Sequence, residues 1–190
     1  SSMEHARKNM WGSFGQYDFI SEGDSPAFLH LVDVGLGNLE NPHFGGWGGR
    51  LIQSSQQPNR WEDGEKAADF NPYKDSLDLA YAQARWVPAI QEDFAARADW
   101  CIKPFKEANH APKISVKEGN LLKVKAGNKI TLTAAATDPD GNKVNIAFWQ
   151  YVEAGTSPEK AVIIPKGIKA EIQVPSTAKS GDTIHVIVEG

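Results

Sequence analysis

Short runs of alternating apolar and polar residues fill the chain after residue 109. In KITLTAAA, Ile130 and Leu132 lie on one side of an extended chain and Thr131 lies on the other. Similar runs are PKISV, LLKVK, KVNIAFWQY, AVIIP, KAEIQV and TIHVIVEG. Turn-forming residues separate them, as in TDPDGN. The pattern predicts an antiparallel β-sandwich over 109–190, and the end of the chain at HVIVEG leaves room for a missing last strand.

The residues before 108 are irregular but contain segments with helical character. Residues 24–37 begin with a capping residue, either Asp24 or Ser25. Pro26 suits the first helical position, and Gly35 suits the end of a helix. We therefore expect a helix in this segment.

A second helix is predicted over residues 85–103, where apolar side chains recur at helical spacing. Pro88 is tolerated only in a first helical turn, so this helix should begin near residue 87. Residues 76–84 are expected to form another helix leading into it. The apolar face comprises Val87, Ile90, Phe94, Ala98 and Cys101. Its position makes Cys101 a packed thiol rather than a nucleophile, and helices followed by strands predict an α+β chain overall.

The two patterns meet in KEANHAPKISV, residues 106–116. Pro112 and polar residues there separate the helical pattern from the strand pattern, which is typical of a short linker. We therefore divide the chain into 1–108 and 109–190. His110 lies at this seam, where we expect it to hydrogen-bond to the neighbouring domain.

Composition narrows the classes of partner. The net charge is −4, which disfavours nucleic acid as a partner because phosphate binding needs a basic face. No apolar run approaches the roughly 18–20 residues of a membrane span, so no membrane partner is expected. A single cysteine cannot form a disulfide within one chain.

The segment NPHFGGWGGR, residues 41–50, places glycines on both sides of one tryptophan. In one interpretation Trp47 offers its ring to a sugar, and Arg50 bonds two hydroxyls or a carboxylate. His43 and Phe44 extend the same patch, which gives four predicted substrate-binding residues. In the other, Trp47 fills a gap in the core and the glycines permit a chain bend. A loop that lines a pocket needs both properties.

Four segments, in this order, resemble a family of secreted bacterial proteins described as cellulose-binding: EGDSP, GGWGGR, QEDFAAR and NHAP. Members pair a nucleoside-hydrolase-like domain with a C-terminal immunoglobulin-like sandwich. The resemblance runs over residues 5–190. It implies that 1–108 form the C-terminal portion of the hydrolase-like domain and that 109–190 form the sandwich. It also implies a secreted or periplasmic location and an upstream part of the same protein as a partner.

The resemblance implies two alternative functions. In the first, this C-terminal fragment belongs to a protein that binds cellulose or another plant polysaccharide. In the second, it is the non-catalytic end of a calcium-dependent nucleoside-hydrolase-like glycosidase. There Asp24 is the candidate calcium ligand, because EGDSPAFL is similar to the helix start that carries a late metal-binding aspartate in nucleoside hydrolases. Gly23 replaces the histidine that usually precedes that aspartate, and with no catalytic pair in the sequence we expect the fragment alone to be inactive.

Overall fold

The structure, a computed structural model that describes residues 24–63 and 67–190, has an irregular first half and a β-rich second half. The described α-helices all lie in the first half: α1 is Asp24–Leu29, α2 is Tyr81–Ala84 and α3 is Val87–Trp100. The strands of the first half pair as two small hairpins: β1 (Ile52–Gln53) with β2 (Trp61–Glu62), and β3 (Asp69–Asn71) with β4 (Ser76–Asp78). No described helix is long and apolar enough to cross a membrane.

Helix α3 begins at Val87, as Pro88 in its first turn predicts. The predicted burial of its apolar face is wrong. None of its side chains is buried, Phe94 is 67% exposed, and Cys101 just after the helix is also exposed. The Cys101 thiol donates to the carbonyl of Arg97 one turn earlier. Helical spacing fixes which side chains share a face, but a neighbouring element must cover that face to bury it.

The other two predicted helices, over residues 24–37 and 76–84, are shorter than expected. Helix α1 ends at Leu29 and does not reach residue 37. Ser76–Asp78 form strand β4, so only the end of the predicted helix 76–84 is helical. The strand forms because Asn71 donates its side-chain amide to Asp78 and closes the hairpin.

The second half contains six antiparallel strands in two sheets. They are β5 Lys113–Val116, β6 Lys129–Thr137, β7 Ala147–Gln150, β8 Val162–Lys166, β9 Lys169–Gln173 and β10 Val186–Glu189. The larger sheet has the order β5-β6-β9-β8, and β10 pairs with β7 in the smaller one. The α+β class is confirmed, whereas LLKVK forms no strand. The immunoglobulin-like β-sandwich stays a prediction.

The two sheets of the second half enclose an apolar core. Register places Leu132 of β6 opposite Ala170 of β9, and Ile130 opposite Ile172. Phe148 of the smaller sheet packs into the same core. Its buried members are Leu132, Ala134, Phe148, Ala170 and Ile172, and we call them the β-sheet core. The alternation in KITLTAAA therefore predicts correctly which side of β6 faces inward.

Candidate functional site

A fully buried carboxylate lies where the two halves of the chain meet. Strand β3 carries Asp69, which is 0% exposed. Arg50 Nε and Arg85 Nη1 each donate to it at 3.0 Å, and the hydroxyl of Tyr151 donates at 2.6 Å. Two cations and a phenol thus compensate a charge that would otherwise be costly to bury. Because Tyr151 follows β7, the network ties the second half to the first.

Aromatic rings surround this network on the same seam. Trp86, Tyr151 and Ala154 are buried together, and we call this group with its neighbours the seam cluster. Its partly buried members are Leu36, Trp47, Ile90, Trp149 and Ile187. The rings of Trp86 and Tyr151 lie 5.7 Å apart in an edge-on arrangement. Burial, followed by the neighbouring Asp69 carboxylate, raises the pKa of Tyr151, so its phenol stays protonated and keeps donating.

The backbone of the glycine-rich loop packs closely against Tyr151 of this cluster and against His30. The amides of Gly46 and Gly49 each donate to the other residue's carbonyl, which places Trp47 in a tight turn. A Cβ atom at Gly48 would lie 2.6 Å from the backbone nitrogen of His30, and one at Gly45 would lie 2.9 Å from the hydroxyl of Tyr151. Larger residues at these two positions would force the chain apart.

The four residues predicted to bind substrate lie close together on this loop. Trp47 is half-buried against the seam cluster. Arg50 is only 4% exposed and donates to the carbonyl of Ala68 as well as to Asp69. Its third contact is His43, whose Nδ1 lies 3.3 Å from Nη1 of Arg50, and the ring of Phe44 lies 4.4 Å from that of His185. The guanidinium of Arg50 is thus engaged within the protein, and sugar contact by this patch stays a prediction.

A cleft opens beside the same network. It consists of two pockets, of about 210 and about 410 Å³, that share Tyr81 and Arg85. We call it the seam cleft. The smaller pocket is also lined by Trp86, Pro88, Ala89, Trp149 and Glu189. The larger one is also lined by Phe70, Pro72, Gln150, Val152, Glu153 and Lys160. Both halves of the chain therefore contribute walls.

Arg85 occupies the centre of the seam cleft and is held by charge and by rings. Its guanidinium carbon lies 4.3 Å from the ring centre of Tyr151 and 5.0 Å from that of Trp149. Its Nη1 also lies 3.6 Å from a carboxylate oxygen of Glu153. Burial is the largest single effect and lowers the pKa of Arg85, but the hydrogen bond to Asp69 and the nearby Tyr151, Asp69 and Glu153 together outweigh it, so the pKa is raised. The side chain is a fixed cation in an aromatic setting.

The sequence signals at the seam cleft are weak. Tyr81 and Arg85 are four residues apart, the spacing that puts two side chains on one helical face. That spacing alone does not indicate a pocket, and neither residue is singled out by the sequence. Trp149 is interpretable from its strand as either a core residue or a surface ring. It is half-buried, its indole nitrogen donates to Glu189, and one side of it lines the smaller pocket.

The second half by itself offers no aromatic platform. Every residue of 109–190 is described, and its large exposed apolar side chains are aliphatic: Leu121, Leu122, Val162, Ile164 and Ile168. A sugar-binding surface formed by coplanar exposed rings is therefore not found on this half. Any aromatic sugar contact in the second half must involve the seam.

Metal binding finds no support in the described side chains. They contain no group of three or more His, Cys, Asp or Glu residues that could hold a metal ion. Asp24 begins α1, but its side chain lies outside the described part, so its role as a calcium ligand stays a prediction. In TDPDGN, Asp138 accepts from the amides of Asp140 and Asn142, which completes the turn. Both oxygens of Asp140 accept from His110. Asp140 lies in the same half of the chain as His110, so the described residues do not show the predicted hydrogen bond to the neighbouring domain. His110 contacts that domain instead through the rings of Trp100 and Phe105.

Comparison with known proteins confirms the resemblance seen in the sequence. A family model for the nucleoside hydrolase-like domain of the cellulose-binding protein Sde182 matches residues 4–51. A second model, for the C-terminal domain of the cellulose-binding protein Sde0182, matches residues 129–190. No curated protein matches the chain.

A solved structure shows the same similarity. It is a nucleoside hydrolase-related protein from Saccharophagus degradans, described as associated with carbohydrate metabolism. The two chains are 34% identical with a TM-score of 0.70. The match covers 90% of the present chain and 44% of the other, so this chain spans less than half the length of that protein.

Proposed function

We propose that this chain binds a polysaccharide and that the glycan lies in the seam cleft. The observation that carries the proposal is a cleft with aromatic side chains around a fixed cation, in a chain whose two family models both describe cellulose-binding proteins. Sugar rings pack their C–H faces against aromatic rings, while their hydroxyls need polar partners close by. The seam cleft supplies both.

The smaller pocket supports the proposal through its rings and its donors. Tyr81 and Trp149 line it together with Arg85. The indole N–H of Trp86, which also lines this pocket, is buried without a hydrogen-bond partner in the described part of the chain. An unpaired buried donor is costly, and a nearby ligand oxygen is one way to satisfy it.

The geometry favours a single glycan chain over a flat crystalline surface. A crystal face needs several exposed rings in one plane. The rings at the seam are inclined instead: Trp86 and Trp149 make an angle of 41°, and Trp149 and Tyr151 make 47°. Tyr73 and Tyr81 are nearly perpendicular at 70°. The lining rings that are not buried are Phe70, Tyr81 and Trp149, and a single chain in the cleft can contact them.

Point variants test the proposal better than truncation, because a chain ending before Asn109 would lose Trp149 and Tyr151 from the seam. Calorimetric titration with soluble cello-oligosaccharides and xylan fragments measures affinity. Tyr81→Ala should weaken binding about ten-fold through lost ring contact. Phe94→Ala is the matched control, since Phe94 is an exposed ring that does not line the cleft.

The same titration separates the cleft from the glycine-rich loop. Trp47→Ala, with its fold checked by circular dichroism, should leave affinity unchanged if sugar occupies the seam cleft. A loss caused by Trp47→Ala but not by Tyr81→Ala would assign the sugar to the loop instead. Absence of binding to every glycan would refute the proposal.

We also propose that the protein works in a secreted or periplasmic location. The support is the resemblance to a secreted family and the occurrence of extended plant polysaccharides outside the cytoplasm. Fractionation of cells that express the native gene, followed by immunodetection in medium, periplasm and cytoplasm, tests this. Recovery from the cytoplasm alone would contradict it.

A further inference from the structure

The described side chains that line the larger pocket of the seam cleft have more unpaired hydrogen-bond donors than unpaired charged acceptors. Among the described residues that line it, Glu153 is the only carboxylate. One oxygen of Glu153 accepts from the amide of Phe70 at 2.9 Å, and the other lies 3.6 Å from Arg85. Both oxygens therefore already face a donor within the protein.

Donors, by contrast, remain available in this pocket. The carbonyl oxygen of the Gln150 side chain accepts from the amide of Ala161 at 2.8 Å, which leaves the NH₂ group of Gln150 without a partner in the described residues. Lys160 is exposed at the pocket wall and makes no ion pair or hydrogen bond with any described residue. The lining thus has one cation, Lys160, that no acidic group of this lining compensates.

The hydroxyls of a neutral sugar accept from these donors, but they leave the charge of Lys160 uncompensated. A carboxylate only accepts and carries the opposite charge to Lys160. We propose that the larger pocket binds a uronic acid residue of an acidic polysaccharide. The carboxylate of that residue accepts from Gln150 and Lys160, and its ring packs against Tyr81. This inference rests on the proposed polysaccharide-binding function and adds the class of sugar.

The test compares ligands that differ only in charge. The full 190-residue chain is titrated with trigalacturonate, with its methyl ester, and with cellotriose. The acid should bind roughly five-fold more tightly than the ester at low salt, and added salt should weaken only the acid. Equal affinities for acid and ester would overturn the inference.

Matched lysine variants locate the charge. Lys160→Gln should reduce the affinity for the acid to that for the ester, while the ester itself is bound as before. Lys143→Gln removes an exposed lysine outside the cleft and should change neither affinity. An equal loss in both variants would mean that overall charge, not this pocket, attracts the acid, and would overturn the inference.

The outcomes also separate the inference from the proposed function. If the chain binds ester and cellotriose as well as acid, and Tyr81→Ala weakens all three, polysaccharide binding stands and the uronate assignment fails. If no ligand binds, both fail together. Circular dichroism of each variant shows whether a loss reflects unfolding.

Discussion

The β-sheet core and the seam cluster differ in the side chains that form them. The β-sheet core is aliphatic apart from Phe148 and is formed entirely by residues 109–190. The seam cluster is aromatic, draws on both halves of the chain, and adjoins buried charges around Asp69. One region excludes water from apolar strands, whereas the other also fixes polar groups beside an open cleft.

The two regions therefore have different roles: one stabilises the fold by apolar packing, and the other carries the proposed binding site. Apolar packing tolerates exchange of similar side chains, provided that volume is kept. The seam depends on particular donors and acceptors, because a buried charge that loses a partner is strongly destabilising. In a binding site at the seam, the hydrogen-bonded network therefore holds the lining side chains in place, but a single substitution in that network disrupts the site.

The largest expected effect is at the centre of the seam. Asp69→Ala would leave Arg50 and Arg85 without their buried carboxylate and should lower the free energy of unfolding by about 3–5 kcal/mol. Urea denaturation measures the change. Asp93→Ala is the control, since the Asp93–Arg97 pair on α3 is exposed and should contribute about 0–1 kcal/mol. Equal effects would contradict a special role for the buried charge.

The second largest effect is expected in the β-sheet core. Ile172 is 2% exposed, and Ile172→Ala should lower the free energy of unfolding by about 2–5 kcal/mol through lost burial and a cavity. Ile164→Ala on β8, where the side chain is 43% exposed, should cost much less. If the folded Ile172→Ala protein loses affinity for glycan, the two regions are coupled more closely than their contacts indicate.

A single hydroxyl tests the link between the halves. Tyr151→Phe removes the 2.6 Å donor to Asp69 and keeps the ring, so it should cost about 1–3 kcal/mol. Tyr73→Phe removes a hydroxyl from a side chain that is 89% exposed and should change stability by less than about 0.5 kcal/mol. Matching unfolding midpoints for the two variants would show that the link contributes nothing.

The smallest expected effect is a dependence on pH. Burial and then Arg50 lower the pKa of His43, and burial and then His43 lower that of His185. The unfolded chain therefore binds more protons than the folded chain below the ordinary value of 6.5. Stability should be complete above about pH 6.5 and decline as the pH falls towards the lowered values.

Urea unfolding at about pH 7.5 and about pH 5.5 measures this dependence. His185→Gln should reduce the difference between the free energies of unfolding measured at these two pH values. Carboxylates whose pKa is lowered, such as Glu171 and Asp140, lose their contribution only at more acidic pH, because their ordinary values are 4.5 and 3.8. Greater stability at the lower pH would contradict the prediction.

Much of the second half follows from local sequence pattern, whereas the seam cleft does not. Alternation predicts the inward side of β6, and Pro88 predicts the start of α3. Alternation fails at LLKVK, where no partner strand is present to accept hydrogen bonds. The Tyr81–Arg85 spacing is visible in the sequence, but only the fold brings Trp149 and Glu189 to the other wall.

The sequence by itself determined the α+β class, the strand-rich second half and the family resemblance, because these depend on neighbouring residues and on ordered motifs. The tertiary structure alone decided that Arg50 is engaged by Asp69 and that the face of α3 stays open. The tertiary contacts between the two halves also determine where the seam cleft forms. The physical reason is distance along the chain: Tyr151 and Asp69 are 82 residues apart, and no local propensity encodes a contact that only folding creates.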